Sequence, residues 1–183
     1  KKAIVITDSN VSLFYKESFK SELSKVYDNV YFYTFLAGEK SKNLDTIRDM
    51  YDFCLINNVD RKTPVFALGG GVCGDMAGFL AATYLRGIPF IQIPTSLLAQ
   101  VDSSVGGKVG VDFNGNKNII GAFYQPELVY INIETLKTLP EREFNAGMAE
   151  VIKYGLILSS DFYKYLISNK EKIKNKDYDT LLY

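Results

Sequence analysis

The sequence predicts an α/β fold, with a mostly parallel sheet flanked by helices and then an all-α segment. Over residues 1–140, short apolar runs of strand length alternate with longer segments of helical period. The runs are continuous, which is typical of strands covered on both faces. Right-handed crossovers between such strands give a parallel sheet that binds ligands at the carboxyl ends of its strands.

The predicted elements follow in chain order. The strands are expected at residues 3–7, 30–35, 65–68, 90–93 and 128–132. The helices are expected at residues 11–26, 44–55, 75–85, 141–158 and 159–173, with the last dozen residues a solvated, lysine-rich stretch. Since no strand follows Pro140, we predict an α/β domain over residues 1–140 and the beginning of a truncated helical domain over residues 141–183.

The composition excludes several classes of protein. The chain has 183 residues, 47% of them hydrophobic and 14% aromatic, with 21 basic and 21 acidic side chains, so a disordered chain is excluded. Zero net charge gives no general attraction to nucleic acid, and no run approaches the roughly 20 apolar residues that cross a bilayer. No signal peptide is seen, and Cys54 and Cys73 form no CxxC pair. We therefore expect a cytoplasmic globular protein with buried free thiols and no nucleic-acid or membrane partner.

A glycine-rich run, residues 69–75, follows the third predicted strand and opens a helix. Glycines let a backbone approach a ligand closely, and a helix N-terminus favours phosphate. The run satisfies GxGxxG, but it follows the third strand, and no acidic residue stands about 20 positions on. A phosphate site is favoured over a plain turn capped by Asp75. A Walker loop is excluded because Val109 follows Lys108.

Polar residues at two other strand ends give weaker indications. Asp8 and Asn10 follow the first strand, and Glu39 and Lys42 follow the second. An acid there could hold ribose hydroxyls, but helix capping by Asp8 or Ser9 is the more common use.

Isolated cations in the apolar segment 95–125 indicate an anion site. Lys108, Lys117 and Asn118, with Asp102 and Asp112, stand among glycines and apolar residues. This pattern suggests lysines drawn inward to hold an anionic ligand. A hairpin with solvated lysines remains nearly as good an interpretation.

Glu150 and Lys153 are the only charged residues between Glu143 and Asp161. Their apolar surroundings predict a helix buried all round, and a spacing of three places both on one face. Either they form an internal ion pair, or a metal-binding carboxylate stands beside a substrate-binding lysine.

Four ungapped stretches, residues 69–79, 86–108, 115–126 and 147–155, resemble the 3-dehydroquinate synthase family. The resemblance implies a Rossmann-like domain and an NAD-dependent lyase assisted by zinc or cobalt, usually a homodimer. That lyase converts the sugar phosphate 3-deoxy-D-arabino-heptulosonate 7-phosphate to 3-dehydroquinate and phosphate, in the shikimate pathway. NAD oxidises the substrate transiently, phosphate is eliminated, the hydride returns, and an intramolecular aldol step closes the ring.

The resemblance also implies roles for residues of this sequence. NAD would contact Asp8, Asn10, Glu39, Lys42, Gly70, Gly71, Val72, Asp75, Thr95, Ser96, Leu98 and Thr138, together with Asp102, Lys108 and Lys117. The catalytic, substrate-holding residues would be Asp102, Lys108, Lys117, Asn118 and Lys153, and Glu150 would be a metal ligand.

Two departures from the family bear on activity. Ser96 stands where the family usually has threonine, and the chain has no histidine, whereas the family ligates zinc with one glutamate and two histidines. Catalytic zinc takes three protein ligands, so we expect a fragment that is inactive alone. A non-catalytic NAD-binding module, another sugar-phosphate cyclase and a related alcohol dehydrogenase remain alternatives.

Overall fold

The computed structural model describes all residues, 1–183, and confirms the predicted α/β class. The strands are β1 Lys2–Asp8, β2 Asn29–Phe35, β3 Val65–Gly69, β4 Phe90–Pro94, β5 Lys108–Phe113, β6 Asn116–Phe123 and β7 Leu128–Val129. The helices are α1 Ser9–Leu23, α2 Leu44–Ile56, α3 Gly71–Thr83, α4 Glu141–Leu158, α5 Ser160–Ser168, α6 Lys170–Lys174 and α7 Tyr178–Leu182. None of these helices has the length and apolar character needed to cross a bilayer.

Five strands form one parallel sheet in the order β2-β1-β3-β4-β7. From β1 the chain passes to β2 on one side and then crosses to β3 on the other side. The strand order therefore reverses between β1 and β3, and such a switch point opens a crevice at the carboxyl ends of the strands.

The sheet buries both of its faces because side chains alternate along each strand. On one face, Ala3 and Val5 of β1 pack with residues of α1 such as Phe19. On the other face, Ile4 and Ile6 join a cluster of 20 buried residues that includes Met50 of α2 and Met76 of α3. This two-sided burial explains the continuous apolar runs in the sequence.

Strands β5 and β6 form a separate antiparallel hairpin, so the hairpin interpretation of this segment is correct. Asn114 and Gly115 form its two-residue turn, with φ of 49° and 77°, as a type I′ turn requires. The hairpin packs closely on α3, where a Cβ on Gly78 would lie 2.3 Å from Val109 Cγ1.

The prediction of inward lysines in this segment is wrong. Lys108 is exposed, and the side chain of Lys117 is 74% exposed. Val109 and Val111 of β5 are buried instead, because this strand presents its valines to α3.

Several predicted boundaries shift. Helix α3 begins at Gly71 rather than near Asp75, and β7 is only two residues long. The single helix predicted over residues 159–173 is divided into α5 and α6. The last dozen residues are not simply solvated, since Lys176 Nζ donates to the carbonyls of Leu136 at 2.7 Å and Leu139 at 2.6 Å.

The sequence predicted that helix α4 is buried all round, and this prediction is wrong. The helix buries Phe144, Gly147 and Gly155, whereas Leu156 and Leu158 are 64% and 75% exposed. The helix packs through one face only, and no other element of this chain covers its opposite face. The boundary at residue 140 coincides with the N-cap of α4 and stays a prediction.

Candidate functional site

A cleft of about 1090 Å³ opens at the carboxyl ends of the parallel strands. It gathers most of the residues that the sequence marked for a cofactor. These are Asp8, Asn10, Glu39, Lys42, Gly70, Gly71, Val72, Asp75, Thr95, Ser96, Leu98 and Thr138.

The order of the strands brings these residues together. Asp8 ends β1, Gly70 and Gly71 follow β3, and Thr95 follows β4. Glu39 lies in a short 3-10 turn, Glu39–Ser41, after β2. Because the strands are parallel and adjacent, their carboxyl ends meet at one edge of the sheet.

The glycine turn presents backbone to the cleft. Gly70 is the N-cap of α3 and makes no side-chain capping bond, so amides of the first turn are open to a ligand. A Cβ on Gly71 would lie 3.0 Å from Ser103 Oγ, and one on Gly70 would lie 3.2 Å from Ser96 Oγ. The two glycines thus leave room for the Ser96 and Ser103 hydroxyls beside the helix N-terminus, and the open amides of its first turn suit phosphate oxygens. Asp75 does not cap this helix.

The capping interpretation of Asp8 is confirmed. Its Oδ1 accepts the amides of Asn10 at 2.8 Å and Val11 at 3.0 Å, at the start of α1. Asp8 nevertheless lines the cleft, so a capping role and a place in the site coexist.

The buried lysine of the site is Lys42, which is 4% exposed. Its Nζ lies 2.5 Å from Asp75 Oδ2 and 2.5 Å from Asn118 Oδ1. Burial raises the pKa of Asp75, while the hydrogen bond and charge of Lys42 oppose that rise.

The tip of the hairpin reaches the edge of the cleft. Lys117 Nζ lies 3.3 Å from Glu39 Oε1, and Asn118 contacts Lys42. Lys108 lies at the other end of β5, paired in register with Phe123. The structure thus brings Lys117 and Asn118 into contact with the cleft residues Glu39 and Lys42, although neither they nor Lys108 lines the cleft itself.

A second polar cluster lies between α4 and the π-helical turn Ala99–Ser103. Glu150 and Lys153 form an ion pair, and the hydrogen bond that the Lys153 ammonium donates to that carboxylate is the main cause that raises the pKa of Lys153. Tyr154 Oη donates to Asp102 Oδ1 at 3.2 Å. Burial, followed by the charge of Asp102, raises the pKa of Tyr154. The prediction that Glu150 and Lys153 share a face is confirmed, but the pair is half-exposed rather than internal.

The sequence reasoning missed several residues at these sites, among them four with hydrogen-bonding side chains. Tyr15, Ser103 and Arg142 line the cleft, and Tyr154 joins the second cluster. Tyr15 Oη lies 2.5 Å from Thr138 Oγ1, and this contact joins α1 to the segment that precedes α4. Arg142 could have been found from its place in the first turn after Pro140. Nothing in the sequence distinguishes Tyr15 from the other tyrosines.

The residues of this chain do not by themselves fit a catalytic zinc ion. No group of three His, Cys, Asp or Glu side chains is placed to hold a metal, and the chain contains no histidine. Glu150 offers one carboxylate where three protein ligands are needed. By contrast, the glycine turn and the cleft around it fit a dinucleotide.

Comparisons with known proteins agree with this geometry. A family model described as 3-dehydroquinate synthase N-terminal matches residues 32–146. The chain is 57% identical over 182 residues to a 3-dehydroquinate synthase of Acetivibrio thermocellus, a match that covers 100% of this chain and 51% of that protein. The chain therefore spans about half the length of this curated relative.

Two solved structures of related enzymes share the fold. A 2-epi-5-epi-valiolone synthase from Streptomyces hygroscopicus, with NAD⁺ and Zn²⁺ bound, has a TM-score of 0.89 and 28% identity, covering 99% of this chain and 51% of that one. A 2-deoxy-scyllo-inosose synthase, complexed with carbaglucose-6-phosphate, NAD⁺ and Co²⁺, has a TM-score of 0.82 and 33% identity, covering 86% of this chain and 43% of that one.

Proposed function

Because the chain belongs to the 3-dehydroquinate synthase family, we propose that it forms the NAD-binding half of a 3-dehydroquinate synthase. The observation that carries the proposal is the uncapped glycine turn, Gly70 and Gly71, inside a cleft at the switch point of the sheet. The identity of 57% to a 3-dehydroquinate synthase supports this enzyme over the cyclases of other products, at 28% and 33%.

The cleft residues would bind and orient NAD. The first-turn amides of α3 would hold its pyrophosphate, with Asp8 and Glu39 near one ribose. Thr95, Ser96, Leu98 and Thr138 would line the other end, towards the turn that carries Asp102. When bound, NAD supplies a hydride acceptor that is regenerated in each turnover.

The second cluster and the hairpin tip would hold the sugar phosphate. A lysine is already protonated at neutral pH, and the hydrogen bond to Glu150 raises the pKa of Lys153 further, so this side chain is suited to attract an anion rather than to accept a proton. Lys117, with Asn118 beside it, adds a cation at the edge of the cleft, and Lys108 is the third proposed cation. Asp102, oriented by Tyr154, would accept a hydrogen bond from a substrate hydroxyl or the cofactor.

Glu150 would be one ligand of a zinc or cobalt ion. The remaining ligands would come from residues outside this chain, so we propose that the 183-residue chain binds NAD but is a lyase only as part of a longer polypeptide. We also propose that the protein is cytoplasmic and forms a homodimer. Light scattering of the purified chain tests the dimer.

Calorimetric titration of the chain with NAD, with and without zinc, tests the cofactor part. We expect saturable binding that zinc does not change. Gly71→Val fills the space beside Ser103 and should abolish the binding, whereas Ala149→Val, on the exposed side of α4, introduces the same side chain without effect. Absence of binding by the unaltered chain would contradict the proposal.

Phosphate release tests the lyase part. Incubation with 3-deoxy-D-arabino-heptulosonate 7-phosphate, NAD and zinc should yield no phosphate above background from this chain. Turnover at the rate of an intact relative would show that the metal site is complete without further residues. A longer polypeptide that contains this chain and still releases no phosphate would favour a non-catalytic NAD-binding module.

A further inference from the structure

Lys42 stands where three elements meet. It follows the turn Glu39–Ser41, and its ammonium reaches Asp75 of α3 and Asn118 of β6, each at 2.5 Å. A buried ammonium is costly unless it is paired and hydrogen-bonded, so these two contacts are what permit its burial. Asp75 supplies the counter-charge. Asn118 is neutral, and its contact extends the network to the hairpin.

The hairpin is attached to the same segment through its backbone. The Asp112 amide donates to the Lys42 carbonyl at 2.9 Å, and Asp112 bridges to Asn43. Asp112 Oδ1 in turn accepts the Asn118 amide at 2.8 Å. Asn118 has a φ of +53°, a left-handed conformation that non-glycine residues adopt when their surroundings fix it. Its backbone is held by Asp112 and its side chain by Lys42.

We propose that Lys42 is a positioning residue that couples the cleft to the hairpin tip. By joining Asp75, one turn inside the glycine-turn helix, to Asn118, it sets where Lys117 and Asn118 stand beside the cleft. Occupation of the α3 N-terminus and ordering of the hairpin tip then favour each other, as linkage requires. The inference rests on the proposed function only for the identity of the ligand, NAD.

A purely structural ion pair would not need this arrangement. Asp75 alone would neutralise Lys42, and a pair of that kind would stabilise the whole domain equally. An ammonium has three donors, and two are already directed at Asp75 and Asn118, so at most one remains for a cofactor. Two of the three donors of Lys42 therefore connect α3 to the hairpin.

Amide hydrogen exchange, followed by mass spectrometry on the 183-residue chain without NAD, tests the positioning role. Loss of a hydrogen bond to a charged group should make amides of residues 112–120 exchange roughly tenfold faster in Lys42→Met, whereas the β3 amides report global unfolding and should lose protection only in proportion to the lower stability of that variant. Lys42→Arg should restore part of the protection. Lys25→Met removes an exposed ion pair with Glu22 and should leave the hairpin unchanged. Equal exchange of the hairpin in Lys42→Met and the unaltered chain would overturn the proposal.

Asn118→Ala is the second variant, since it removes the hairpin contact and keeps the pair between Lys42 and Asp75. It should loosen residues 112–120 alone, so an unchanged hairpin in this variant overturns the proposal even where Lys42→Met unfolds the chain. Uniform acceleration across all peptides in both variants would assign Lys42 a structural role only.

Addition of NAD tests the coupling. In the unaltered chain, NAD should slow exchange of the hairpin, and in Asn118→Ala it should bind without doing so. NAD that binds and leaves the hairpin unchanged overturns the coupling. Failure of NAD to bind overturns the proposed function instead, and the comparison made without NAD still decides the positioning role.

Discussion

The sheet region and the helical region cover their apolar surfaces to different extents. The sheet buries both faces, and one face alone carries a cluster of 20 buried residues. The helical region shares a cluster of only five, of which Leu97 and Leu136 come from before residue 140. Its outer face leaves Leu156, Ile157 and Leu158 exposed. The comparison teaches that the cleft proposed to bind NAD lies against a well-packed core, whereas the proposed metal ligand lies on a helix that is covered on one face only.

The two lysine–carboxylate pairs reflect the same difference. In the Lys42–Asp75 pair, the side chains are 5% and 20% exposed. In the Lys153–Glu150 pair, they are 48% and 29% exposed. The first pair is fixed among neighbours, and the second is accessible to a ligand.

Truncation of core side chains should cause the largest losses of stability and should show whether the two regions differ in packing. Phe90→Ala, at the centre of the larger cluster, should lower the free energy of unfolding by about 3–5 kcal/mol. Leu166→Ala should cost about 2 kcal/mol, at the low end for a buried leucine, because its cluster is small and open on one side. Urea unfolding followed by circular dichroism measures both. Equal losses would show that the helical region is as well packed as the sheet.

Removal of each lysine should also distinguish the two regions. Lys42→Met leaves the Asp75 carboxylate buried without its counter-charge, so we expect a loss of about 3 kcal/mol at neutral pH. Lys153→Met, in the exposed pair, should cost less than about 1 kcal/mol. Similar losses in the two variants would contradict the distinction between the pairs.

The loss of unfolding free energy in Lys42→Met, called the deficit below, should depend on pH. The reason is the pKa of Asp75, which burial raises in the folded chain. A group whose pKa is higher in the folded state favours folding below its unfolded pKa and loses that contribution as pH rises through the folded pKa. Without Lys42 the pKa of Asp75 rises further, so the deficit should shrink as the pH falls from 8 to about 5. A deficit independent of pH would mean that Asp75 is not the group left unpaired.

The cysteines report on the sheet region alone. Burial raises the pKa of Cys54 to about 12. The unfolded thiol ionises first, so its contribution to stability is present below about pH 9 and lost as pH rises towards about 12, by at most about 1.4 kcal/mol per pH unit. Cys54→Ala should flatten this alkaline decline in chemical unfolding experiments. An identical slope in the variant would contradict burial of that thiol.

Changes to the exposed face of α4 should have the smallest effect on stability. Leu156→Ser with Leu158→Ser should change the free energy of unfolding by no more than about 0.5 kcal/mol for each residue, because neither side chain is buried. The double variant should bind less of a hydrophobic dye such as anilinonaphthalene sulfonate. A large loss of stability would show that this face is packed in the chain.

The sequence predicted the sheet well because a strand buried on both faces leaves a continuous apolar run. The placement of Asp8, Glu39 and the glycine turn at the cleft followed from the same rule, since residues after parallel strands meet at one edge, whereas Thr95, Ser96, Leu98 and Thr138 were indicated only by the family resemblance. The hairpin β5–β6 could have been recognised from Asn114–Gly115, a pair typical of a two-residue turn. It was nevertheless the alternative rather than the preferred interpretation of this segment. Burial of Lys42 and exposure of Leu158 could not be predicted, because each depends on whether a distant segment covers that residue.

Backbone amide chemical shifts of the chain, recorded by NMR with and without NAD, test most directly that the cleft is a cofactor site. We predict that shifts concentrate at Asn10 and at residues 70–72, with smaller changes at the hairpin tip. The apolar cavity of about 410 Å³ between α4, α5 and α6, which includes Met148 and Leu166, should show none. Shifts centred on that cavity, with residues 70–72 unchanged, would contradict the account.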